Sequence, residues 1–107
     1  MKGLELACFQ IISSAGMAKS SFIEAIKAAK NSDFIKAKSC IDKGDEYFAE
    51  GHNIHTQLIQ HESGDKQVSP NLLLVHAEDQ LMSVETCKIL ANELIESYGR
   101  ISALENK

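Results

Sequence analysis

His76 and Asp79 stand about one helical turn apart in the run Leu72-Leu73-Leu74-Val75-His76-Ala77-Glu78-Asp79-Gln80-Leu81-Met82, which is otherwise largely aliphatic. Ionisable groups in apolar surroundings are costly unless they are paired, bound to a ligand or put to chemical use. A neutral imidazole is the side chain best suited to taking and giving a proton, or a phosphoryl group, near neutral pH. At about 100° per residue, Gln80 lies about 40° from His76, Ser83 about 20° the other way, and Asp79 about 60° from His76 at the border of that strip, with Glu78 nearly opposite. Gln80 and Ser83 could donate hydrogen bonds to an incoming anion. Asp79 is the awkward neighbour, because a carboxylate repels a phosphoryl group carrying about −1.5 to −2 charges. Coordination to a cation, or convergence of symmetry copies around one, would neutralise it, and hard oxygen ligands favour Mg²⁺ or Ca²⁺. The bland alternative is a hydrogen-bonded core histidine beside an interfacial aspartate.

Further histidines occur at His52, His55 and His61. Positions three apart on a helix can share a metal ligand set, but no Glu-x-x-His pair and no His-Glu-x-x-His occurs, so a dedicated metalloprotein is disfavoured. His52 or His55 facing His76 across a helix bundle is the more useful reading. Gly64 is isolated and no G-x-x-x-x-G-K-[ST] exists, so there is no phosphate-cradling loop.

The elements that must position these residues are helices. Small or apolar residues recur in steps of three and four at Leu4, Cys8, Ile11, Ala15, Ala18, Phe22, Ala25 and Ala29, then, after Asn31-Ser32-Asp33, at Phe34, Ala37, Ile41, Gly44, Phe48, Gly51, His55 and Leu58. The Asn31-Ser32-Asp33 cluster stops the first helix and offers an N-cap to the second, and Gly44 and Gly51 suggest close helix packing. Ser63 to Ser69 reads as a flexible loop. Ser69 caps a third helix with Pro70 at its first position, and its seam runs Leu73, Ala77, Gln80, Val84, Cys87, Ala91, Leu94, Tyr98 and Ile101. The expected fold is all-α, one domain over 1–107: an antiparallel three-helix bundle with helices at about 3–30, 33–62 and 70–102. The third helix shows Leu72, Leu73, Leu74, Val75, Leu81 and Met82 on every side, more than one internal seam covers, which predicts burial between subunits of a closed homo-oligomer.

The totals agree. A chain of 107 residues, 44% hydrophobic and 24% charged, with six Gly and one Pro, suits one helical domain better than a β-sandwich. The net charge of −4 and the interleaved lysines disfavour nucleic acid or an anionic membrane as partner. No apolar stretch is expected to approach the roughly 18 residues of a spanning helix, and the N-terminus lacks a signal-peptide h-region, which points to the cytoplasm. Cys8, Cys40 and Cys87 lie on apolar stripes outside any C-x-x-C pattern and read as free packing thiols.

Leu74-Val75-His76-Ala77-Glu78-Asp79-Gln80-Leu81-Met82-Ser83 resembles the Leu-Val-His-Ala-Gln-Asp-His-Leu-Met-Thr signature of the lactose/cellobiose-specific IIA proteins of the bacterial phosphoenolpyruvate:sugar phosphotransferase system. Ala29-Lys30-Asn31-Ser32-Asp33-Phe34 resembles that family's first interhelical turn. Ala49-Glu50-Gly51-His52, with Thr56, Leu58 and Ile59, resembles its Glu-Ala-His and Gln-Thr-x-Leu-Ile segment. The resemblance implies a cytoplasmic nine-helix homotrimer that relays phosphoryl groups without binding sugar. His76 matches the phosphoacceptor, taking the group from HPr and passing it to a cysteine of the cognate IIB protein during uptake of a β-linked disaccharide such as cellobiose or lactose. Asp79 matches an aspartate that meets its two copies around a divalent cation, with Mg²⁺ the expected ion. Gln80 stands where the family usually has a second His, and His55 where it usually has Gln three residues after the matched His52; these two, with Ser83 and His52, are candidate neighbours of the phosphoryl group. A histidine phosphotransfer domain of two-component signalling is discounted, because Asp79 and Gln80 occupy the places of its usual Lys and Gly. The rival from another class is a non-catalytic helical adaptor in which His76 and Asp79 fix oligomer register.

Overall fold

Leu4, Cys8, Ile11, Ala15, Ala18, Phe22, Ala25 and Ala29, the whole first seam, are buried in the computed structural model, which describes residues 2–63 and 72–107, with side chains over 3–60 and 72–107. These residues line α1 (Lys2–Lys30), which packs against both α2 (Phe34–Ser63) and α3 (Leu72–Glu105). The α2–α3 contact is much thinner. No strand occurs among the described residues. Ser69, Pro70 and the Ser63–Ser69 loop expectation lie outside the described residues, save that α2 runs through Ser63.

Three hydrophobic clusters fix the helix directions. Leu4, Cys8 and Ile11 meet Ala77 and Leu81 with Ile54, Leu58, Leu73 and Leu74 packed around them, whereas Ala28 and Ala29 meet Ala37, Phe34, Ile95 and Tyr98 at the other end. The early part of α1 thus lies beside the early part of α3 and the late part of α2, giving an up-down-up bundle 63 Å long and 20 × 16 Å across. Between these ends, Phe22, Ala15, Ala18, Val84 and Ala91 form the middle of the core.

The α1–α2 turn follows from local chemistry. Ser32 N–H donates to Ala29 O and Asp33 N–H to Ala28 O, both at 2.9 Å, the reciprocal pair that closes a Schellman cap. Ser32 sits at φ 62°, a left-handed position usually held by Gly. Asp33 then caps α2, its Oδ1 accepting from Lys36 N–H at 3.1 Å. Replacing Ser32 by Gly relieves the left-handed cost while losing only an exposed 3.3 Å contact with Ser102 Oγ. The Ser32→Gly protein is expected to gain about 0.5–1 kcal/mol in urea unfolding, and Ser32→Val to lose at least as much.

Two expectations are corrected. The α3 seam buries Leu81 where Gln80 was expected, and beyond Ala91 it follows Ile95 and Tyr98, leaving Leu94 and Ile101 exposed. The helix rotates to place aliphatic groups inward and Gln80 at the margin. The expectation that no stretch approaches a spanning helix also fails on length and composition, because Gly3–Lys30 reaches a mean hydropathy of 1.2. Its fully buried seam of Cys8, Ile11, Ala18 and Phe22 packs against α2 and α3, as in the core helix of a bundle. Cys8 is buried, Cys40 and Cys87 are half-buried, and all three are free thiols, as their apolar positions predict.

Candidate functional site

The first turns of α3 divide their side chains among three directions. Ala77 and Leu81 enter the core. Leu72, Val75 and Met82 face out, at 86%, 54% and 67% exposure, and Asp79 is exposed among them. His76 is also exposed, on the flank of that outward stripe, and with Leu72 and Leu73 it lines a shallow apolar hollow. No hydrogen bond or ion pair engages His76 or Asp79 among the described residues. Within a single chain His76 is therefore not a hydrogen-bonded core histidine: the imidazole stands on the helix surface, where an outside molecule can reach it.

The expected strip holds in direction but not in access. Gln80 is half-buried beside His76, and Ser83 Oγ is closed off from solvent with no hydrogen-bond partner among the described residues. That hydroxyl must turn outward to meet an anion. His52 and His55 do not face His76 within one chain. His55 instead donates from Nε2 to Glu78 Oε2 at 2.8 Å, and Glu78 lies about 160° around α3 from His76. His52 stacks on Phe48, with ring centroids 5.9 Å apart and planes at 22°, and lines an α2–α3 groove with Phe22, Val84, Glu85 and Ile89 on the same side as Glu78. The His61 side chain lies outside the described residues. Within a single chain, among the described residues, no group of three His, Cys, Asp or Glu side chains could hold a metal ion. Asp79 offers one carboxylate, so a cation there needs copies of the chain.

Glu78 is the residue that sequence reasoning missed. It was set aside because it points away from His76, and a wheel drawn for one helix does not show what the next helix presents. The available signal was that both His55 and Glu78 stand where the resembled pattern carries Gln. The negative charge of Glu78 also reaches α1: burial pushes the Cys8 thiol pKa up, and Glu78 pushes it further.

Comparison with known proteins follows the same lines. Residues 6–99 match the family model described as the lactose/cellobiose-specific IIA subunit of the PTS system. The chain is 40% identical over 99 residues to a lichenan-specific phosphotransferase enzyme IIA component of Bacillus subtilis, covering 92% of this chain and 90% of that protein. Its fold superposes with a TM-score of 0.88 on the cellobiose-specific enzyme IIA of Bacillus anthracis, at 36% identity over 92% of this chain and 90% of the other. A TM-score of 0.82 relates it to the chitobiose IIA–HPr complex of the Escherichia coli phosphotransferase system, at 33% identity over 92% and 96% of the two chains.

Proposed function

The chain belongs to the lactose/cellobiose-specific IIA family of the phosphotransferase system, and from that premise we propose that it carries the phosphoryl group on His76, received from HPr and delivered to a cysteine of a cognate IIB protein. As a IIA component it is a phosphotransferase component that works through partner proteins. The observation that carries the assignment to His76 is its exposure, without a partner among the described residues, on the N-terminal part of α3, inside the stretch that matches the family signature. In the first step a nitrogen lone pair of the neutral imidazole attacks phosphorus in line; an N–P bond forms as the donor's bond to phosphorus breaks, and the donor keeps that electron pair. In the second a thiolate of IIB attacks, an S–P bond forms, and the electron pair of the breaking N–P bond returns to the ring. Gln80, and Ser83 if its hydroxyl turns, are placed to donate to phosphoryl oxygens. His52 and His55 could join only from a neighbouring subunit or after rearrangement. The transported sugar is a β-linked disaccharide such as cellobiose or lactose, in keeping with relatives named for lichenan and cellobiose. The working compartment is the cytoplasm. The test is incubation with phosphoenolpyruvate, enzyme I and HPr, followed by mass spectrometry; phosphate on His76 is expected, and an unmodified protein would refute the relay in favour of the adaptor.

The assembly is proposed to be a homotrimer. Leu72, Val75, Met82 and Ile89 form an exposed stripe at spacings of three and seven residues, too apolar to leave in water, with Asp79, which has no partner among the described residues, in its middle. Threefold packing of this stripe brings three Asp79 carboxylates together, a hard-oxygen set that fits Mg²⁺. A bound cation would supply charge neutralisation there, removing the like-charge repulsion among the carboxylates and from a nearby phosphoryl group. EDTA is expected to destabilise the trimer by about 3–4 kcal/mol relative to a magnesium concentration about 100 to 1,000 times its dissociation constant. The Asp79→Asn protein should stay trimeric by light scattering and ignore EDTA. A monomeric wild type, or equal EDTA sensitivity of both proteins, would sink the axial site.

A further inference from the structure

His55 and Glu78 form a link between the two helices that touch least. Among the described residues two ion pairs cross from α2 to α3, Lys88–Asp45 at 2.7 Å near mid-bundle and His55–Glu78 at 2.8 Å beside the candidate site. The His55 side chain is 20% exposed and that of Glu78 41%, so the contact is partly shielded from water. Glu78 sits two residues after His76 and one before Asp79. From α2 it meets His55, and from α1 the buried, uncharged Cys8 thiol feels its charge.

The packing beneath this turn is not directional. Leu73, Leu74, Ala77 and Leu81 pack against Leu4, Cys8, Ile54 and Leu58, and aliphatic contacts tolerate small rotations or slides of a helix. A charge-assisted hydrogen bond has a narrow geometry. It grips α3 on the flank away from His76, while His76 and Asp79 face outward. Rotation about the α3 axis moves Glu78 and His76 together, so fixing one fixes the other. For in-line phosphoryl transfer, a misplacement of about 1 Å can cost about 100-fold in rate.

Both members depart from the family pattern, and they depart toward each other. His55 and Glu78 each replace a Gln of the resembled sequence, and the two substituted side chains meet at hydrogen-bonding distance.

We propose that His55 and Glu78 are positioning residues, a reciprocal pair between α2 and α3 that sets the rotation and height of the α3 turn presenting His76 to its phosphoryl donor. The proposal rests on the phosphorelay reading. Neither residue touches the phosphoryl group within its own chain; both act through the backbone that carries His76. Either half alone is a defect, because an unpaired Glu78 or His55 is left partly buried, whereas the two amides together can hydrogen-bond in the same place.

The experiment measures initial rates of transfer from phosphorylated HPr, over a range of HPr concentrations, together with thermal midpoints. His55→Ala and Glu78→Ala are each expected to lower kcat about 10-fold while KM for HPr stays within about twofold. The double Ala variant should be no worse than either single one. Glu78→Gln, a milder change that keeps side-chain volume, should slow transfer by a smaller factor, and adding His55→Gln to it should restore kcat to within about twofold of wild type. Asp45→Asn, which removes the other cross-helix pair, serves as the stability control and should lower the midpoint without changing kcat. Unchanged rates in the single variants overturn the proposal. So do additive losses in the double Ala variant, failure of the paired Gln variant to recover, or an Asp45→Asn protein slowed as much as Glu78→Ala. A wild type that accepts no phosphate overturns the relay and this role with it, whereas a phosphorylated wild type with indifferent variants overturns the pair alone.

Discussion

A His76→Ala protein is expected to accept phosphate from HPr at less than about one thousandth of the wild-type rate, while unfolding within about 0.5 kcal/mol of wild type. The two halves of that expectation have separate physical origins. A covalent relay without its nucleophile has no partial mechanism to fall back on, because neither the amide of Gln80 nor the enclosed hydroxyl of Ser83 is a nucleophile comparable to an imidazole. The stability half follows from exposure. His76 makes no hydrogen bond or ion pair among the described residues and borders only a shallow hollow with Leu72 and Leu73, so truncation removes little packing. A large loss of transfer with an unchanged urea midpoint therefore identifies chemistry and not unfolding. If His76→Ala still took up phosphate, the next candidate would be the exposed His52, whose ring lies against Phe48 at the α2–α3 groove. The measurement is intact-protein mass spectrometry with fragment localisation, run beside a denaturation curve for the same preparation.

The sequence carried the helix seams well because a seam is a property of one helix. All of the first seam is buried, and along the second Ala37, Gly44 and Gly51 are buried while Phe34, Ile41, Phe48, His55 and Leu58 are half-buried. The Asn31-Ser32-Asp33 cluster could be read as offering an N-cap because capping depends on neighbours in sequence, and in the fold Asp33 is the member that caps. On α3 the same method slipped at Gln80, Leu94 and Ile101. That helix is apolar nearly all round, so its periodicity defines the inward direction poorly, and packing against α1 and α2 makes the choice. The candidate site divides in the same way. His76 and Asp79 are conspicuous in sequence as polar groups in an aliphatic run. His55 and Glu78 are 23 residues apart in the chain and on different helices, so their contact depends on how α2 and α3 are rotated and offset, which neither helix encodes alone. Exposure is likewise invisible in sequence: the excess of apolar side chains on α3 predicts an interface, but only the fold shows that Leu72, Val75 and Met82 are left exposed and Leu81 is not.

Gly44→Ala is expected to destabilise the bundle by about 1–3 kcal/mol even though alanine is the better helix former. In an exposed helix interior the exchange is worth up to about 1 kcal/mol in alanine's favour. At Gly44 a methyl group would lie 2.5, 2.7 and 2.8 Å from three carbons of the Phe22 ring, distances real Cβ atoms essentially never show. Phe22 is fully buried in the middle cluster with Ala15, Ala18, Val84 and Ala91, so relieving the overlap means either repacking the ring toward the α2–α3 groove it lines or moving α2 away from α1. Overpacking of this kind costs about 1–3 kcal/mol and sometimes more, which exceeds the propensity gain. Two companions separate the effects. Gly99→Ala, where nothing lies within 4 Å of the added carbon, should keep the propensity gain and stabilise. Phe22→Leu in the Gly44→Ala background should recover part of the loss, since a smaller side chain relieves the clash, although Phe22→Leu alone destabilises by leaving a cavity. The readout is a double-mutant cycle in urea unfolding. A Gly44→Ala protein as stable as the Gly99→Ala protein, or strict additivity of the Gly44 and Phe22 changes, would mean that the two helices are not held together at this crossing.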